Sequence, residues 1–316
     1  MPMTVKLKDI AEAANCSINT VSRALRDCSD IGAKTKRKIK DLAESMGYIP
    51  DNIAGYLRNK NTNLVGVVIS STTNPFFTVS LNLLLTQLSD HGYIPLIMVC
   101  RNNILSKDIL MDLISIRVCG IISFSNVSED VTSYCIYGKI PLVLIGVNIG
   151  NRNVSAVYPH DYMSGELVGK EFIKSGRQRP CYVAGSKVWV GNKDRRCGFE
   201  DAIKEANAEC VEYFYDDVDL RDNIIRNKND FIFCYNDEIA SFVVEVLERA
   251  GYTDYTIFGV DGVWRYLSIC RKINSVGGKL DDVIKCGMEM LIHKIEANDA
   301  SSEIRVFPVE ILTVDL

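Results

Sequence analysis

Residues 8–25 read KDIAEAANCSINTVSRAL, and this stretch decides the organisation of the whole 316-residue chain. Leu7, Ile10, Ala11 and Ala14 fall at i, i+3, i+4 and i+7, the apolar stripe of a short amphipathic helix. Asn15-Cys16-Ser17 interrupts it. Asn is the non-glycine residue that best tolerates the left-handed backbone of a tight interhelical turn, and Ser17 can cap a second helix over residues 18–26. Val21, Ala24 and Leu25 of that helix face the first, and Ala11 is small enough to let the two cross closely. A third helix over residues 34–46 buries Ile39, Leu42, Ala43 and Met46 and stops at Gly47. Three short helices with a three-residue turn between the first two predict a helix-turn-helix.

The outward face of the second helix then carries Ile18, Asn19, Thr20, Ser22 and Arg23. Arg forks onto guanine O6 and N7, Asn onto adenine, and Ile18 meets a thymine methyl. Ser17, Thr20 and Ser22 supply short hydroxyls suited to phosphates. Lys34 and Thr35, with Lys36, Arg37, Lys38 and Lys40, give the third helix a basic flank. A merely solvated polar face is the alternative, and it is the pattern of the whole head that argues against it; the charge distribution, which ordinary sampling could also produce, accords with that. Residues 1–62 hold eleven Lys or Arg against seven Asp or Glu, whereas the remainder holds 25 against 33. A small basic head on a larger acidic body fits a polyanion-binding module joined to something with another task.

With 47% hydrophobic and 24% charged residues, the chain is globular and long enough for roughly two domains. Apolar runs such as 64–69 and 94–100 span about seven residues where a membrane helix needs roughly twenty, so a membrane protein is excluded. The opening residues contain no apolar signal-peptide core, which predicts a cytoplasmic chain. The cysteines number eleven, and none lie closer together than Cys16 and Cys28. No CxxC spacing exists, so free thiols are expected, with no metal and no cofactor.

From Leu64 the pattern alternates. Strands are expected at 64–70, 94–99, 118–124 and 142–147, with helices near 77–91 and 108–116. The rhythm repeats with strands at 181–184, 231–234 and 257–260 and helices near 164–174, 195–206, 237–250 and 280–297. This predicts two parallel-sheet lobes, with a ligand cleft beyond the strand C-termini. Ser71, Asn74 and Phe76 follow the first strand, Asn236-Asp237 follows a strand of the second lobe, and Asp261 follows the next. Phe76 suits stacking on a ring or ordinary core packing, and Asp237 suits a helix cap or a ligand contact.

The blocks Lys8-Asp9-Ile10-Ala11-Glu12-Ala13-Ala14, Ser17, Thr20-Val21-Ser22-Arg23-Ala24-Leu25, Lys34-Thr35-Lys36 and Gly47-Tyr48-Ile49-Pro50 resemble, in order and spacing, the head of the lactose/galactose-repressor family of bacterial transcription regulators. The likeness runs through Leu57 and continues more loosely to the C-terminus. It implies a small all-α helix-turn-helix headpiece at 1–50, a hinge at 51–62, and an α/β periplasmic-binding-protein-like body of two parallel-sheet lobes at 63–316. The first lobe is expected over about 63–160 plus 278–300, and the second over about 161–277 plus 301–316. The resemblance further implies that Leu57 and its dimer mate wedge into the minor groove, at a cost of roughly a few kcal/mol, with Ala54 packed against its own mate. Gly55 departs from the usual hinge, and a plain linker is the alternative reading of this segment.

The resemblance also implies an effector-binding set of Ser71, Asn74, Phe76, Ser123, Trp189, Arg195, Asn236 and Asp261, with the planar fork of Arg195 gripping effector oxygens. Gly146, Gly278, Ser123 and Arg177 depart from common family residues, so effector identity is not carried over. A small polyhydroxylated or nitrogen-rich ligand suits the set. The implied function is a homodimeric repressor that binds double-stranded operator DNA and answers to a small-molecule effector. The sequence ends on a strand-like segment without heptads, so a dimer is expected rather than a tethered tetramer. No P-loop, GxSxG or HExxH occurs, and His160-Asp161 reads as a loop and helix cap rather than a catalytic dyad, so no enzyme is expected. A solute-binding protein and a ligand-independent repressor are the rival readings.

Overall fold

The computed structural model describes residues 5–48, 62–148, 150, 153–186, 193–299 and 301–314. The expectations placed on Ala54, Gly55, Leu57 and Trp189 lie outside the described residues. The chain divides into two compact units, Met1–Asn61 and Thr62–Leu316.

In the first unit, α1 (Leu7–Ala14), α2 (Ile18–Leu25) and α3 (Ala33–Ser45) form as the apolar spacing requires. Asn15 adopts φ +54°, and the Ser17 Oγ accepts the Thr20 N–H at 3.0 Å. Ile10, Ala11, Ala14, Val21, Ala24, Ile39 and Ala43 make one small core. Gly47, at φ +68°, ends α3, and the next residue's amide returns to the Ala43 carbonyl at 2.9 Å.

The second unit holds two six-stranded sheets. The first contains β1 (Leu64–Ile69), β2 (Ile94–Val99), β4 (Gly120–Ser123), β6 (Leu142–Ile145), β7 (Ser155–Pro159) and β13 (Ile304–Phe307), in the order β13-β7-β6-β4-β1-β2. All its described pairings are parallel. The second contains β8 (Pro180–Ala184), β9 (Val211–Phe214), β10 (Phe231–Cys234), β11 (Thr256–Val260), β12 (Asn274–Gly277) and β14 (Glu310–Leu312), in the order β14-β12-β11-β10-β8-β9. There only β14 runs antiparallel. Two short strands, β3 (Ile104–Leu105) and β5 (Asn126–Val127), pair beyond the first sheet. The central strands are apolar along their whole length because helices cover both faces of a parallel sheet.

The chain passes between sheets three times. The first two fall between Pro159 and Pro180 and between Gly277 and Leu280, and the third between Phe307 and Glu310. Residues 301–316 were expected in the second lobe, yet Ile304–Phe307 pairs with β7 of the first sheet, Ile304 opposite Ala156. Pro308 follows at once; lacking an N–H it cannot extend that ladder, and the chain crosses before Glu310.

One helix pair sets the geometry of the site. Helices α4 (Pro75–Asp90), α5 (Lys107–Ser115) and α6 (Glu129–Gly138) belong to the first lobe. In the second, α7 (Asp161–Ser175) crosses α8 (Asp194–Lys204) with almost no side-chain spacer. A Cβ on Gly165 would stand 1.9 Å from the Arg195 carbonyl, and one on Gly198 would stand 2.0 Å from the Tyr162 carbonyl. Gly165→Ala is expected to cost about 3 kcal/mol in denaturant unfolding, because backbone rather than flexible side chain must move. A loss below ~1 kcal/mol would mean the crossing is not tight.

Candidate nucleic-acid interface and candidate effector cleft

On α2, Ile18 is 49% exposed, and Ser17 and Asn19 are exposed beside it. An isoleucine left in water at the first turn of a short helix has no core role. Thr20 is half-buried, its hydroxyl 2.8 Å from that of Ser17. The Arg23 guanidinium lies 2.5 Å from the Asp30 carboxylate, both side chains being a little under half open to solvent. Exposed ion pairs contribute about 0–1 kcal/mol, so a DNA acceptor can displace Asp30. Lys34 and Thr35 are exposed in the first turn of α3. Ser22 corrects the expectation: it is 9% exposed, not on the outward face. It lies next to Val21 and Leu25 on the helix surface, both turned toward the head's core, and so is drawn inward.

In the second unit a cleft of about 920 Å³ opens where both sheets end. It is lined by Ser71, Asn74 and Phe76 of the first lobe and by Arg195, Asn236 and Asp261 of the second, all from the sequence-derived set. Ser123 does not line it. That hydroxyl is fully buried, donating to the Ser125 carbonyl at 2.9 Å and accepting the Ser125 N–H at 3.1 Å. The turn after β4 consumes the polar group that a ligand would need.

Arg195, 7% exposed, is built into the wall. Its Nε donates to Asp161 Oδ1 at 2.7 Å, its Nη1 donates to the Tyr235 carbonyl at 2.6 Å, and its Cζ lies 4.9 Å from the Tyr235 ring centre. Burial works against this charge and raises Asp161, but their contact favours the ion pair and holds the guanidinium protonated. His160 caps α7 as expected, its Nδ1 accepting the Met163 N–H. Asp161 has the role that the sequence reading missed. Asp161 does follow a strand end, that of β7, but the sequence reading expects no strand over 155–159 and so passes over it.

Both predicted asparagines are N-caps. Asn74 Oδ1 accepts the Phe76 N–H at 2.8 Å, and Asn236 Oδ1 accepts the Ile239 N–H at 2.9 Å at the start of α10 (Asp237–Arg249). Asn74 also donates through Nδ2 to Glu238 Oε2 at 2.7 Å, tying the first lobe to the second. Asn148 Nδ2 does the same to Asp194 Oδ2 at 2.7 Å. Glu238, Tyr215, Tyr235, Phe242 and the loop asparagines Asn102, Asn103, Asn126 and Asn148 also line the cleft. The sequence reading singled out none of these residues.

Two departures acquire physical reasons. Gly146 sits at φ +74°, and a Cβ there would meet the Phe76 ring at 3.5 Å, so the ring fills the space beside it. Gly278 lies where crossings meet: a Cβ would stand 2.7 Å from the Pro308 carbonyl.

Residues 6–51 match the family described as "Bacterial regulatory proteins, lacI family", and residues 62–263 match "Periplasmic binding proteins and sugar binding domain of LacI family". The chain therefore belongs to the lacI family of bacterial regulatory proteins. It is a transcriptional regulator that joins a helix-turn-helix head to a ligand-binding body of the periplasmic-binding class. It is similar to the sucrose operon repressor of Streptococcus mutans, 26% identical across 98% of this chain and 99% of that one. It is also similar to the transcriptional repressor PurR of Mannheimia succiniciproducens, 22% identical across 94% of each. The lac repressor dimer bound to operator and the anti-inducer ONPF shares its fold, with TM-score 0.83 and 17% identity over 98% of both chains. No helix among the described residues is long and apolar enough to cross a membrane.

Asp237, weighed as a cap, is buried behind the cleft instead. It accepts from the Ser275 hydroxyl at 2.6 Å and the Val263 N–H at 3.0 Å. Burial raises its pKa from 3.8 to about 6 against those two donors. The stability carried by its protonated form is thus present below pH 3.8 and lost as pH rises through about 6. Above that, the Ser275 hydroxyl serves a carboxylate. Ser275→Ala is expected to cost about 1.5–3 kcal/mol at pH 8 in urea unfolding and clearly less at pH 5. Equal losses at both pH values would contradict an ionising Asp237.

Proposed function

We propose that two copies of this chain form a homodimeric repressor. Each α2 reads a half-site of a near-palindromic operator in the major groove, and a small molecule in the body cleft alters operator affinity. The observation that carries the head's role is the exposed isoleucine beside Asn19 and Arg23 on a helix with little else to bind. Ser17, Thr20, Lys34 and Thr35 would take phosphates, and Leu57 would wedge the operator centre. The dimer in the lac repressor structure supports the two-copy reading. The same relatives support the reading of regulation rather than catalysis, carried out in the cytoplasm.

The body's role rests on Arg195. A buried guanidinium keeps donors directed at the cleft after satisfying Asp161 and Tyr235, together with cap asparagines and aromatic faces. Ligand exchange at the Asn74–Glu238 and Asn148–Asp194 bridges would shift one lobe against the other. Such couplings typically amount to about 1–3 kcal/mol.

Arg23→Ala is expected to weaken specific operator binding by roughly 1–3 kcal/mol and relax selectivity at its base position, read by electrophoretic mobility shift with a mutated-site panel. Unchanged selectivity would remove Arg23 from base readout. Arg195→Ala is expected to retain the operator affinity of the unliganded protein and to lose the effector response. A response of normal size would refute the cleft as effector site.

A further inference from the structure

We infer that the cleft takes an organic cation, a small molecule bearing a protonated amine beside its hydroxyl groups, and that Glu238 and Asp261 recognise the charge. This rests on the reading of the cleft as the effector site. Four described lining residues are ionisable as acid or strong base: Asp161, Glu238 and Asp261 against Arg195. Arg195 pairs with Asp161 at 2.7 Å and also attracts Asp261, so among the described lining residues three carboxylic acids share one guanidinium. Glu238 receives a hydrogen bond from a neutral amide, Asn74. Burial raises the pKa of both Glu238 and Asp261; the Asn74 amide opposes it only in part at Glu238, and Arg195 only in part at Asp261. Asp261 further holds a backbone φ of +104°, far from the usual aspartate range. Such strain persists only where the surroundings fix it, and here it directs a carboxylate beside Arg195.

The neighbouring surface is also built for a cation. Glu238 and Phe242 are four residues apart, on one face of α10, and the Phe242 ring meets Tyr215 edge-to-face at 6.5 Å. A carboxylate beside two aromatic rings stabilises an ammonium by ion pairing and by the ring quadrupole together. A phosphorylated or carboxylated ligand fits poorly, since among the described lining residues the single cation is already neutralised. The loop asparagines supply the neutral donors and acceptors for hydroxyl groups.

Isothermal titration calorimetry on the full-length protein without DNA tests this with charge-matched probes: glucosamine, glucose and glucose 6-phosphate; the deacetylated glucosamine disaccharide and cellobiose; and spermidine. At least one amine is expected to bind about tenfold or more tighter than its neutral counterpart. Glu238→Gln and Asp261→Asn, each isosteric, should each reduce that preference severalfold. Tighter binding of the neutral or phosphorylated member, a preference unchanged in both variants, or no amine binding at all would overturn the assignment. An amine that binds in this way without altering operator affinity would leave the charge assignment standing and sink the effector role instead.

Discussion

The salt bridge between Arg195 and Asp161 is the interaction on which the cleft depends. A guanidinium taken out of water costs several kcal/mol unless a partner and further hydrogen bonds replace its solvation. Asp161 and the Tyr235 carbonyl do so at 2.7 and 2.6 Å. Both charged residues open helices that cross at glycines, so the pair's position is set by backbone contact rather than by adjustable side chains. The consequence is a rigid donor group at the wall of an otherwise acidic and amide-rich cavity. Asp261 then stands near an arginine that Asp161 already pairs, while Glu238 meets only the Asn74 amide.

Around that fixed point the two lobes meet through small, exchangeable contacts. Asn74 reaches Glu238, and Asn148 reaches Asp194. Each bridge is one neutral-to-charged hydrogen bond, which contributes about 1.5–3 kcal/mol at most. That is the right scale for a switch: a ligand offering comparable contacts can replace them, whereas the two sheet cores, buried on both faces, stay as they are. Asn74 and Asn236 cap their helices with one amide oxygen, so their orientation toward the cleft survives without a ligand.

Sequence reading recovered what local pattern dictates. The three head helices follow from apolar spacing, the Asn15 turn and the Ser17 cap, and strands such as Leu64–Ile69 and Phe231–Cys234 announce themselves as continuous apolar runs. Strand ends led to five of the residues around the cleft, Ser71, Asn74, Phe76, Asn236 and Asp261, and family likeness alone to Arg195. What escaped was tertiary. Ser22 looks outward on a list of polar residues and lies inward by helix phase. Asp161 reads as part of a loop and helix cap until Arg195 is seen beside it. Ser123 stands at a strand end, but its own turn uses it. The β13 strand carries exposed residues over Ile304–Val306, an edge pattern too weak to assign to either sheet from sequence. The glycines at 165 and 198 reveal their purpose only through the opposing backbone.

The family match joins these parts into a regulator: a head with exposed groups suited to base edges and a body that holds a ligand cleft. The most direct measurement is selection of genomic fragments by the full-length protein at low ionic strength, followed by nuclease footprinting of the fragments retained. Recovery of a shared two-fold-symmetric sequence, protected across both half-sites and released as salt rises, is the predicted result. Failure to retain any duplex under those conditions would contradict a DNA-reading head, whatever the cleft binds.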